Sequence, residues 1–166
     1  MQADAVDALR AAPVDELLHN ASGDSPAPEF GPHIDVENPG PPWLQPVYDD
    51  AEFLVRNVIR FYGGWWSGRP SELKPASRSV LAAEIAKIAG GACALAERAR
   101  VIAAAGELRL ACHLADFALE AAPSDKEVQA KVAAIYDERA GGEVSLMAIN
   151  IFNSAAAYAR AGRSFA

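Results

Sequence analysis

From Pro75 onward the apolar residues of this chain return every three or four positions, the period of an α-helix with one face turned inward. Ser77 sits where a helix N-cap belongs, Leu81, Ile85 and Ile88 fall on one face, and Gly90-Gly91 supplies the stop. The pattern then repeats. Ala92 to Ala105 carries Leu95, Ala99 and Ile102, and Glu107 to Ala122 carries Leu108, Ala111, Ala115, Ala118 and Leu119. Asp125 to Ala140 carries Val128, Val132, Ile135 and Tyr136, and Glu143 to Arg160 closes the series. Gly106, Pro123-Ser124-Asp125 and Gly141-Gly142 mark the turns. Upstream, Asp49-Asp50 opens a helix with Phe53, Leu54, Asn57, Val58, Phe61 and Tyr62 at helical spacing, which ends at Gly63-Gly64. The predicted fold is all-α.

The remaining segments obey other rules. Residues 1–20 hold Val6, Leu9, Val14, Leu17 and Leu18 in short helical pieces broken by Pro13, a connector. Residues 21–47 are a Pro- and Gly-rich linker that sustains neither helix nor central strand, an N-terminal arm of the helical domain at 48–160, and 161–166 are a tail. Between the first strong helix and Pro75, Trp65-Trp66 lie in a Gly- and Pro-containing loop of non-repeating backbone, and their rings need a covering surface. The last helix, with Leu146, Met147, Ile149, Ile151, Phe152 and Tyr158, is apolar over so wide an arc that a partner is expected to bury it.

Charge narrows the classes of partner. With 22 Asp and Glu against 15 Lys and Arg, the chain repels phosphate backbones and anionic lipid, so neither nucleic acid nor membrane is an expected partner. The N-terminal residues lack a basic, apolar signal pattern, and a cytoplasmic location is the default expectation. Cys93 and Cys112 are too few for a disulfide framework and read as small, reduced core residues.

Gly106, Leu108, Ala111, Ala118, Leu119 and Pro123 resemble the tetratricopeptide pattern: a turn glycine, small residues where two helices cross, and a terminal proline. A longer resemblance covers most of the chain, from about Leu44 to Arg160. The string from Tyr48 through Phe53, Arg56, Asn57, Arg60, Tyr62, Gly63, Gly64, Trp65, Trp66, Gly68, Pro70, Leu73 and Pro75, then Ala89-Gly90-Gly91-Ala92, resembles the dimerisation region of alkyl-sulfatase-like hydrolases of the metallo-β-lactamase fold. The usual loop of that family reads Gly-Trp-Tyr-Asp-Gly-Asn-Pro. Gly64, Trp65, Gly68 and Pro70 keep it, whereas Trp66, Ser67 and Arg69 depart from it, which puts any role of the usual Asp or Asn in doubt.

The resemblance implies a helical module that follows a zinc-dependent catalytic domain and joins two protomers. Larger family members cleave sulfate esters of alkyl chains and carry a further sterol-carrier-like domain, which has no counterpart here. A two-zinc site needs a His-x-His-x-Asp-His cluster with further ligands. This sequence has only His19, His33 and His113, so no cofactor is expected in the chain itself and zinc belongs to a separate catalytic domain. The chain is then either a piece of a longer hydrolase or a polypeptide that pairs with one. His113 directly follows Cys112 and so points away from it, which argues against a metal pair. The adjacent acids Asp15-Glu16 and Asp49-Asp50 diverge on a helix in the same way and suit solvated faces.

The expected function is association: homodimerisation and docking onto a metallo-β-lactamase-fold domain or subunit, through Phe61, Tyr62, Trp65, Trp66, Met147, Ile151 and Phe152. Two alternatives stay open. In one, Arg56, Arg60 or Arg69 holds a sulfate or carboxylate at the edge of a substrate pocket, the chain acting as an accessory part of the hydrolase. In the other, the tryptophans bind a small hydrophobic ligand.

Overall fold

The structure, a computed structural model, describes residues 47–164 apart from Asp49; the connector, nearly all of the Pro- and Gly-rich arm, His19 and His33 lie outside these residues. The chain divides into two compact units, Met1–Pro75 and Ala76–Ala166. Among the described residues every regular element is a helix, so the fold is all-α as the periodicity predicts.

In the first unit α1 spans Ala51–Gly63. Asp50 is its N-cap, and its carboxylate accepts the Glu52 N–H at 2.7 Å, satisfying one of the donors a helix start leaves open. Glu52 in the first turn and Arg60 in the last both complement the helix dipole. Gly64, at φ 81°, ends the helix in a conformation that a side chain would strain. The tryptophan loop departs from the expected irregular backbone, because it contains one helical turn, α2 (Pro70–Leu73). Pro70 occupies the first helical position, where its fixed φ suits the turn and its missing N–H costs nothing.

The second unit holds α3 (Arg78–Ile88), α4 (Ala92–Ala104), α5 (Leu108–Ala121), α6 (Lys126–Gly141) and α7 (Leu146–Arg160). Three side chains cap the starts of α3, α6 and α7. Ser77 Oγ accepts the Val80 N–H, Asp125 Oδ1 accepts those of Glu127 (2.9 Å) and Val128 (3.2 Å), and Ser145 Oγ accepts that of Ala148 at 3.3 Å. Consecutive helices form antiparallel pairs at α4/α5 and α6/α7. In addition α3 packs on α5, α5 on α6, and α4 on α6. The interior is built largely from alanine: Ala82, Ala86, Ala96, Ala99, Ala103, Ala111, Ala115, Ala118, Ala155, Ala156 and Ala159 are all buried. Side chains this small set short interaxial distances, so cohesion comes from backbones in close contact more than from large buried side chains. The largest fully buried side chains, Ile135, Val128 and Val132, all belong to α6, which packs against α4, α5 and α7.

The alanine core explains where the periodicity misleads. On α3 the buried residues are Ala82 and Ala86, whereas Leu81 and Ile88, expected on the inward face, are exposed and only Ile85 of that trio is half-buried. On α7 the case is different: Ala148, Ala155, Ala156 and Ala159 are buried, and Leu146, Ile151 and Tyr158, part of the surface expected to meet a partner, are exposed. That helix begins at Leu146, three residues after the expected start, because Ser145 caps it.

Candidate interaction surface

The end of α1 gathers aromatic side chains in water. Phe61 and Tyr62 meet edge to face, ring centroids 5.1 Å apart, yet remain 81% and 82% exposed. Trp65 follows at 74%, and Leu73 of α2 is also exposed. Trp66 is 43% exposed and better held, because its indole N–H donates to the Arg69 carbonyl at 2.9 Å. The Arg69 N–H in turn donates to Ser67 Oγ at 3.3 Å, so the residues that depart from the usual family loop, Trp66, Ser67 and Arg69, hold one another. Rings of this size left in contact with water mark a surface for association. Arg56 is paired along its own helix with Glu52 at 3.0 Å, and Arg60 lies exposed one turn later on the same face.

In the second unit the outer side of α7 offers a smaller apolar surface. No residue from Val144 to Ala159 is charged, and Val144, Leu146, Ile151 and Tyr158 are exposed. The guanidinium of Arg163 lies 5.1 Å from the Tyr158 ring. Met147 is half-buried, and so is Phe152, which serves the core as much as the surface. The Phe152 ring stacks on Tyr136 with centroids 6.2 Å apart, and Arg139 lies 5.2 Å from its centre while pairing with Glu143 at 2.5 Å. Of the seven interface candidates, Phe61, Tyr62, Trp65, Trp66 and Ile151 are thus open to solvent and Met147 and Phe152 are partly engaged.

Polar groups that periodicity does not single out tie the second unit together. Tyr136 donates to Asp116 Oδ1 at 2.5 Å, and Arg78 reaches from α3 to Glu120 of α5 at 2.8 Å while lying 5.8 Å from the Phe117 ring. Burial pushes the Asp116 carboxyl above the usual aspartate range, with the Tyr136 hydroxyl and the Arg78 charge pulling the other way. The signal in the sequence is Asp116 itself, an acid amid Leu114, Ala115, Phe117, Ala118 and Leu119, on a helix paired with one that buries a tyrosine in need of an acceptor. Lys131 bridges Glu97 (3.1 Å) and Glu127 (2.8 Å), and Arg100 and Lys131 together hold Glu97 down to about 2.

Burial lifts the Cys112 thiol to about 11, and its neighbour His113 is exposed. Cys93 accepts from Lys131 at 3.6 Å, and the nearby Glu127 raises its thiol as well. Among the described residues no three His, Cys, Asp or Glu side chains come together as metal ligands, and no single helix is long and apolar enough to cross a membrane.

With this geometry the chain can be set beside known proteins. The sequence model of the alkyl sulfatase dimerisation family matches residues 38–162. No curated protein matches the sequence. Among solved structures, a double mutant of the sec-alkyl sulfatase PisA1 is similar over 96% of this chain at 20% identity, with a TM-score of 0.69. The stereoselective inverting sec-alkylsulfatase Pisa1 from Pseudomonas sp. is similar over 71% of it at 23% identity, with a TM-score of 0.65. At such identities the likeness is one of fold, and the chain spans only 24% and 19% of the lengths of these two enzymes. The family match covers three quarters of the chain and every helix among the described residues, and on that ground the chain belongs to the alkyl sulfatase dimerisation family.

Proposed function

We propose that this chain is a non-catalytic association module: it joins two copies of itself and docks against the metallo-β-lactamase-fold catalytic domain of an alkyl-sulfatase-like hydrolase. The observation that carries the reading is the set of large apolar side chains exposed to solvent, Phe61, Tyr62 and Trp65 among them, in a member of a dimerisation family. A stable interface takes about 800 Å² from each partner. The outer stripe of a single helix such as α7 is smaller than that, so Ile151 and Tyr158 act together with other exposed residues. In a two-fold pair each of them is used twice, since the same patch serves both protomers.

In this reading α4/α5 and α6/α7 are tetratricopeptide-like hairpins, and their alanine crossings serve rigidity. Hydrolysis of a sulfate ester, with the zinc ions it needs, belongs to the catalytic domain. Sedimentation equilibrium across a concentration series tests the proposal, comparing the parent chain with a Phe61→Ser, Trp65→Ser, Ile151→Ser triple variant. The parent is expected to dimerise and the variant to remain monomeric with unchanged helical content. Equal masses for both would refute the assignment of these residues.

A further inference from the structure

We draw no further inference here: the strongest candidate, the exposed apolar face of α3 formed by Val80, Leu81 and Ile88, carries none because nothing in the structure shows what covers it.

Discussion

The hydroxyl of Tyr136 on α6 donates a 2.5 Å hydrogen bond to the carboxylate of Asp116 on α5, joining the two helices. Removing the donor leaves a largely buried acceptor without its protein partner. Tyr136→Phe is therefore expected to lower stability by about 1–3 kcal/mol, the range for a buried polar group stripped of its partner. Urea denaturation followed by circular dichroism measures it, and an unchanged midpoint would mean that water replaces the hydroxyl freely.

Two carboxylates give pH effects of opposite sign. Burial raises Asp116, so the folded state binds its proton more tightly than the unfolded chain does. The stability this confers is present in acid and lost as pH rises through the raised value. Glu97 is lowered to about 2 by its hydrogen bonds from Arg100 and Lys131, so its contribution is present above the ordinary glutamate range and lost as pH falls toward about 2. Asp116→Asn should therefore gain stability relative to the parent as pH rises across the carboxylate range, and Glu97→Gln should lose relative stability over the same rise. Denaturation midpoints of all three proteins between pH 3 and 7 decide it, at low salt where the exposed Glu97 pairs are least screened.

Gly162 and Gly106 both adopt positive φ, 68° and 90°, but in different surroundings. A Cβ on Gly162 would run into the Pro123 carbonyl and the Gln129 amide, which are themselves joined by a 2.7 Å hydrogen bond, whereas nothing lies within 4 Å of one on Gly106. Gly106→Ala should cost only the left-handed penalty, about 1–2 kcal/mol. Gly162→Ala should cost more, since a part-buried hydrogen bond has to yield as well. Thermal melts of the two variants give the order.

The alanine crossings predict intolerance of size. Ala115 and Ala118 are fully buried on α5, and Ala115→Leu adds side-chain volume that the packed helices have to move to admit, at an expected cost of about 1–3 kcal/mol or more. Ala104→Leu, exposed on α4, should change stability by less than about 0.5 kcal/mol. Equal effects in a denaturation series would show that the core is looser than its packing implies.

Phe152 and Ile151 adjoin in sequence and should separate in their effects. Phe152 packs between Tyr136 and Arg139, so Phe152→Ala is expected to lower the stability of the fold by about 2–4 kcal/mol, less than or near the loss for a wholly buried phenylalanine. Ile151 is 40% exposed, and Ile151→Ser should leave the melting temperature of the monomer nearly unchanged while weakening association. Melting curves at low concentration paired with mass measurements at high concentration distinguish the two roles.

The helices, caps and turns were largely legible in the sequence because they rest on local chemistry. Asp50, Ser77 and Asp125 are short acceptors in front of a helical run, and Gly64, Gly90 and Gly106 stand where positive φ is needed. The inward faces were less legible. A period of 3.6 weighted by side-chain size selects Leu81 and Ile88 on α3, whereas close packing selects Ala82 and Ala86. Alanine fits either side of a helix, so its burial depends on where the neighbouring helix lies. The exposed aromatics Phe61, Tyr62 and Trp65 announced themselves as surplus apolar area beside a Gly- and Pro-containing loop. The Asp116–Tyr136 and Arg78–Glu120 links stayed hidden because each joins residues on different helices, set by tertiary packing and not by spacing.

Association of the chain with itself is the central claim, and light scattering coupled to size exclusion, run on the purified chain over a hundredfold range of concentration, tests it most directly. The account predicts a species of twice the 17.5 kDa chain mass that persists on dilution. A mass of 17.5 kDa at every concentration, from a chain with full helical content, would contradict it.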